Sequence, residues 1–181
     1  ATLTSACPLI LHNSQLANPM NKWVRMMKEI SSKRKKVDAD IEEMARIEFC
    51  GSLYMSEDGP VIPGMMIEAA VRGGAKKTRE GKDAQSSVFA TKNAPLKYKG
   101  PKDMENLWKD ESFRHQAIVT VQRAKINRCR PVFNEWKADI ELMYDDSVVQ
   151  KSKLVEWLNV AGLQCGLGDW RPRYGRFSVK A

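Results

Sequence analysis

The apolar positions along the chain change period several times, and each change predicts an element. Leu9-Ile10-Leu11-His12 is a short apolar run with β character, ended by Asn13-Ser14, and predicts a first strand. Asn18-Pro19 then offers an N-cap and a proline at the first helical position, with Trp23, Met26, Met27 and Ile30 following at helical spacing. This helix is expected to end in the run Lys33-Arg34-Lys35-Lys36. Asp38, Asp40, Glu42 and Glu43 crowd the start of a second helical pattern, where carboxylates favour the positive end of the helix dipole. Ile41, Met44, Ala45 and Phe49 share its apolar face, and a strand over 50–55 and a turn over 56–60 close the unit.

Ile62-Pro63-Gly64 leads into a third helical pattern over 65–72, stopped by Gly73-Gly74. Residues 75–94 are rich in Lys, Gly and polar side chains and read as a flexible or partly ordered excursion, with a short helix expected over 103–109. A strand is predicted over 116–122, then a basic stretch over 123–130 and a turn or bulge at Pro131. Over 133–144, Trp136, Ala138, Ile140, Leu142 and Tyr144 alternate with Lys137, Asp139 and Glu141, the pattern of a half-buried strand. Asp145-Asp146-Ser147 supplies capping groups for a helix over 148–161, with Leu154, Trp157, Leu158 and Ala161 as its buried stripe and Gly162 as its stop. A glycine-rich turn and a closing strand over 175–179 end the pattern.

With the excursions set aside, the order is strand, helix, strand, strand, helix, strand. That order predicts an α+β fold of the split βαβ, ferredoxin-like (RRM-like) kind: an antiparallel sheet with helices on one face, helical insertions, and the other face open. The 181 residues fit one domain, 1–181, with a helical insertion about 14–60 and a flexible excursion about 75–112.

Composition narrows the function classes. The chain is 43% hydrophobic and 29% charged, as globular proteins are. It has no apolar run of the roughly 18 to 20 residues a membrane helix needs, and its start lacks the basic and apolar regions of a signal peptide. Cys7, Cys50, Cys129 and Cys165 are far apart, and only His12 and His115 could assist them. Metal ligands cluster at shorter spacings, so the expectation is free thiols in a reducing, cytoplasmic compartment, with no metal and no cofactor. The net charge of +8 and pI near 9.4 raise the expectation of a polyanionic partner.

Three basic segments could hold that partner. In 166–177, Gly166 and Gly168 would let the backbone approach phosphate, Arg171, Arg173 and Arg176 supply charge, and Trp170 and Tyr174 offer faces on which bases stack. The run Lys33, Arg34, Lys35 and Lys36 extends the cations Lys22, Arg25 and Lys28, although a solvated charge run is the ordinary reading of such a segment. In 123–130, strand alternation groups Arg123 with Lys125 and aligns Arg128 with Arg130, either along a phosphate backbone or as a guard on an edge strand. Arg72, at the end of the third helical pattern, completes the candidates. Catalysis has thin support, because neither His12 nor His115 accompanies a Ser or Cys in a recognisable nucleophile motif. Gly166-Leu167-Gly168 also lacks the Lys-Ser/Thr ending of a P-loop.

Ile62-Pro63-Gly64 running into 65–72 is similar to the helix-start motif of the RAMP superfamily, the repeat-associated proteins of CRISPR effector complexes. Gly166-Leu167-Gly168 with Arg173-Tyr174-Gly175-Arg176-Phe177 resembles the glycine-rich loop and strand near the end of those domains. The resemblance implies a backbone subunit that binds single-stranded RNA (or DNA), oligomerises along the strand, and contacts other effector-complex subunits, with no membrane. Family backbone subunits usually exceed this length, with larger insertions forming a thumb and palm. Catalytic members often use a histidine, which makes a metal-independent endoribonuclease acting through His12 or His115 the runner-up. The block 33–48 and the ending 168–177 also look like small proteins of phages and prophages, whose partner would be another protein met through the acidic helix 38–49.

Overall fold

Thr2-Leu3-Thr4-Ser5 alternates over only four residues, yet it is the strand on which the largest sheet is built. The computed structural model describes residues 1–121 and 123–181. In chain order its elements are β1 (Thr2–Ser5), β2 (Leu9–Ile10), α1 (Lys22–Ser31), α2 (Asp38–Ser52), β3 (Met55–Ser56), β4 (Gly59–Ile62), α3 (Gly64–Lys77), α4 (Gly81–Ser87) and β5 (Val88–Ala90). There follow β6 (Ala94–Lys97), α5 (Met104–Lys109), β7 (Arg114–Val121), β8 (Ala124–Phe133), β9 (Lys137–Asp139), β10 (Leu142–Tyr144), α6 (Lys151–Val160) and β11 (Phe177–Lys180). The fold is mixed α+β with antiparallel sheets. It packs as two units, one of Ala1–Ile10, Met55–Gly100 and Phe133–Ala181, the other of Leu11–Tyr54 and Pro101–Val132.

The first unit holds a sheet in the order β11-β1-β9-β6-β4-β3, antiparallel throughout. Register aligns Val179, Leu3, Ala138 and Leu96 across four strands, and the last three of these are closed to solvent. The neighbouring row, Ser178, Thr4, Lys137 and Lys97, falls on the opposite face, as the period of two requires. α3 packs on α6, and α6 packs on β11. Gly74 sets the first approach: a Cβ there would lie 2.1 Å from the Trp157 carbonyl oxygen. Trp136, Trp157, Ile62, Ile67 and Phe177 complete this core, with the Trp136 and Phe177 rings edge to face at 6.3 Å.

The second unit packs α1 on α2 and α2 on α5, and it carries the β7–β8 hairpin. Ile47, Phe49, Leu53, Leu107, Trp108 and Cys129 are buried in it, with Phe49 and Trp108 edge to face at 5.4 Å. Directly opposed residues of an antiparallel pair share a face. His115, Ala117 and Val119 therefore lie beside Arg130, Arg128 and Ile126, while Gln116, Ile118 and Thr120 lie beside Cys129, Asn127 and Lys125.

Several expectations change. The apolar run 9–12 contributes only the two-residue β2, and β1 takes the place of the first strand, with Leu3 as its single inward side chain. Asn18 does not cap α1; its side chain accepts from Met20 N–H at 2.9 Å in a local turn, and Asn21 caps the helix by accepting from Trp23 N–H at 2.9 Å. Of the strand expected over 50–55, residues 50–52 are the end of α2 and only Met55 is in a strand, β3. Gly73-Gly74 does not stop α3, which runs on to Lys77. The stretch 75–94, expected to be flexible or partly ordered, carries the end of α3, α4, β5 and the start of β6. Pro131 lies within β8 opposite Arg114, and its carbonyl accepts from Leu11 N–H at 3.1 Å. The single strand expected over 133–144 is divided into the end of β8, β9 and β10, although Trp136, Ala138 and Ile140 are buried as the alternation predicts. Of the strand expected over 116–122, Gln122 lies outside the described residues.

Candidate nucleic-acid interface

In the second unit, α1 presents Trp23, Val24 and Met27 to a cavity of about 270 Å³, with Leu16 and Ala17 extending the apolar wall. The polar wall is His12, Glu48, Arg128 and Arg130. Arg128 and Arg130 are two apart on β8 and share a face of the hairpin, so strand geometry alone sends both here. Glu48 is 5% exposed and fully engaged: Arg128 Nη1 donates to Oε1 at 3.1 Å and Cys129 N–H donates to Oε2 at 3.0 Å. Among the described residues, no other protein group accepts from the Arg128 guanidinium.

His12 Nδ1 lies 3.4 Å from Ser52 Oγ. Burial, reinforced by Arg130 and Arg128, lowers its pKa to about 4, so the ring is neutral at physiological pH. Burial also pulls Arg130 below its ordinary value, although no guanidinium loses its proton near neutrality. The Cys129 thiol is pushed up to about 11, first by burial and then by Glu48, and stays protonated. Gly51 on α2 leaves room for α1: a Cβ there would lie 2.7 Å from Leu16 Cδ2 and 3.1 Å from Trp23 Cβ. Lys22 Nζ sits 4.7 Å from the Trp23 ring centroid.

The remaining candidates of this unit are spread over other places. Arg123 is exposed in the hairpin turn with a φ of 70°, and Lys125 is exposed on the face of β8 away from Arg128. Lys33, Arg34, Lys35 and Lys36 form the exposed α1–α2 connection. Lys33 Nζ donates to Asp40 Oδ1 at 2.5 Å, and Lys36 Nζ donates to the Lys33 carbonyl at 3.2 Å. Arg34 and Lys35 have no ion-pair partner among the described residues. The acidic start of α2 is partly neutralised within the unit, since Arg46 joins Glu43 at 2.8 Å and Glu105 at 3.2 Å.

In the first unit, the loop 166–177 is bound tightly to its own chain. Gly166, Leu167, Asp169 and Gly175 direct their N–H groups to the carbonyls of Ala161, Gly175, Ile10 and Pro8, each at 2.8 Å. Gly166, Gly168 and Gly175 have φ of 73°, 71° and 74°, and an added Cβ would strike the carbonyl oxygens of Tyr174, Ile10 and Leu167 at 2.6, 2.2 and 1.8 Å. These glycines thus serve close backbone packing. Arg171, Arg173 and Arg176 stay exposed around that frame, with Arg176 Nε donating to the Pro172 carbonyl at 2.7 Å. Trp170 and Tyr174 are half-buried, their ring centroids 6.2 Å apart. Arg72 lies elsewhere in the unit, lining a 230 Å³ hollow with Met65, Glu68 and Val88. The Ile62-Pro63-Gly64 helix start is likewise structural in its contacts, because Gly64 N–H donates to Asn93 Oδ1 at 3.0 Å.

Sequence reasoning passed over one basic surface of this unit. Lys97, Lys99 and Lys137 line an open hollow of about 430 Å³ with Thr4, Tyr98 and Glu135 on the polar side of the sheet. Lys97 is paired with Asp139. Lys97 and Lys99 are neighbours in sequence, and the pairing of β6 with β9 brings Lys137 beside Lys97. Sequence reasoning also missed Trp23, Glu48 and His12 as neighbours of Arg128.

Among the described residues, no helix is long and apolar enough to cross a membrane, and no three His, Cys, Asp or Glu side chains are grouped to hold a metal. No family model, curated protein or solved structure matches the chain.

Proposed function

We propose that the chain binds a single strand of nucleic acid, RNA in the first instance, as a backbone subunit resembling those of the RAMP superfamily, and oligomerises along the strand. The observation that carries this reading is the pair Arg128 and Arg130, side by side on one face of β8 and facing an apolar wall that includes Trp23. Arginine pairs with aromatic neighbours suit phosphates interleaved with unstacked bases. The strand order β11-β1-β9-β6, with α3 between β1 and β6 in sequence and α6 between β9 and β11, supports the ferredoxin-like reading. The second unit enters through the β1–β3 and β6–β9 connections, so the core order survives the insertions. Exposed cations at Arg34, Lys35, Lys99, Lys137, Arg171 and Arg173 add an electrostatic contribution without sequence preference.

Titration of the purified chain with labelled single-stranded RNA and DNA at several salt concentrations tests this. Log affinity is expected to fall by about 0.7 per log unit of salt for each phosphate neutralised. Salt-independent binding, or none, overturns the reading, and sedimentation of the complex on long and short strands tests oligomerisation.

The endoribonuclease reading has one observation in its favour, the placement of His12 in the same cavity as Arg128 and Arg130. A pKa near 4 makes His12 a weak general base at neutral pH, which places this reading second. RNA that stays intact over long incubation in chelator removes it.

A further inference from the structure

The second unit carries exposed isoleucines on both banks of one hollow. The hollow, about 310 Å³, lies between α2 and the β7–β8 hairpin, with Ala45 on the helix side, Gln116 and Asn127 on the hairpin side, and the nearly buried Trp108 between. On the α2 bank Ile41 is 52% exposed, and on the hairpin bank Ile118, directly opposite Asn127, is 73% exposed. Single surface isoleucines are ordinary, but two around one hollow make a patch. The charges around that patch divide by sign. α2 presents Asp38 and Glu42, one turn apart, and neither carboxylate has an ion pair or hydrogen bond among the described residues. On the hairpin side Lys125 shares the face of Asn127, two residues on, and is exposed and likewise unpaired among the described residues. Arg114 also lines the hollow but is occupied: its guanidinium lies 4.3 Å over the Trp108 ring, and its Nε donates to the Trp108 carbonyl at 2.7 Å.

An apolar centre inside a charged rim is the anatomy of a protein interface. Laying α2 of one copy on α2 of another would oppose carboxylates. Laying each α2 bank on the other copy's hairpin bank sets Ile41 against Ile118, and Asp38 and Glu42 against Lys125, twice over. The patch is thus complementary to itself, which is what a two-fold contact requires. We propose that this face joins two copies of the chain about a two-fold axis. The contact does not rest on the nucleic-acid reading. Arg128 lies on the other face of the hairpin, so pairing leaves its cavity open.

Sedimentation velocity on the full chain, freed of nucleic acid as judged by its absorbance ratio, reads the pairing directly. The parent is expected to run as a dimer that dissociates on dilution. Ile118→Glu sets an unpaired carboxylate in the apolar centre and is expected to weaken pairing roughly tenfold or more. Lys125→Glu, and Asp38→Lys combined with Glu42→Lys, should each run as monomers, because each opposes like charges. An equimolar mixture of these two should recover the dimer, since every bank then meets the opposite sign. The substituted positions are exposed, so the fold should survive, and circular dichroism checks it. Should the double variant not fold, Ile118→Glu and Lys125→Glu decide. A parent that stays monomeric at its highest soluble concentration overturns the proposal. So does a dimer that persists in Ile118→Glu and Lys125→Glu, or a mixture of folded charge variants that stays monomeric. The salt titration of strand binding is a separate measurement, so either reading can fail while the other stands.

Discussion

Glu48 and Arg128 stand 80 residues apart in sequence and meet at 3.1 Å, the carboxylate almost closed to solvent and the guanidinium about a third exposed. The pair joins α2 to β8 within the second unit. It holds one wall of the cavity, and both its stability and its chemistry can be probed by substitution.

Arg128→Ala leaves the Glu48 carboxylate buried with a single backbone donor. Breaking a buried pair costs several kcal/mol; with Arg128 partly exposed, the expected loss is about 2–3 kcal/mol. Glu48→Gln removes the buried charge, so Arg128→Ala made in that background should cost distinctly less. Urea unfolding of the two single variants and the double variant measures the coupling, and equal costs in both backgrounds would show that the pair contributes nothing.

His12 supplies a pH dependence with a definite sign. Its folded pKa, about 4, lies below the ordinary 6.5, so the unfolded chain binds more protons between these values. Stability from this group is full above about pH 6.5 and is lost as the pH falls toward 4. The denaturation midpoint should drop across that window, and His12→Gln should flatten the drop. An identical profile in the variant would assign the effect to other groups.

Gly175→Ala forces a left-handed φ of 74° on a side chain and drives a Cβ to within 1.8 Å of the Leu167 carbonyl. The expected cost is about 2 kcal/mol or more. Arg171→Ala, on the exposed rim of the same loop, should change stability by no more than about 0.5 kcal/mol. Thermal melts of the two variants separate the frame of this loop from its charge.

Arg34→Ala with Lys35→Ala removes two exposed cations without an ion-pair partner among the described residues. Stability should hold within about 0.5 kcal/mol. If both contact phosphate, the salt slope of strand binding falls by about 1.4. An unchanged slope places the α1–α2 connection outside the contact surface.

Local chemistry made part of this fold readable in advance. Carboxylates at the start of α2, Asp103 accepting from Asn106 N–H at 2.9 Å to cap α5, and the stripe Leu154, Trp157, Leu158 on α6 are all effects of near neighbours. Gly73-Gly74 misled for the converse reason. A glycine costs a helix about 1 kcal/mol locally, but Gly74 lets the backbone of α6 come close to α3, a gain seen only once both helices are in place.

The same division runs through the candidate site. Sequence alone determined that Arg128 and Arg130 share a side of their strand, because the strand period of two is a property of the backbone. It also determined the basic character of 33–36 and 166–177. Only the tertiary structure decided that the glycines of 166–177 are consumed by backbone packing, and that Lys137 lies beside Lys97. It alone brought Trp23, His12 and Glu48 to the two arginines. Those contacts join segments from 12 to 130 and follow from burying apolar faces and pairing strands, neither of which leaves a local trace.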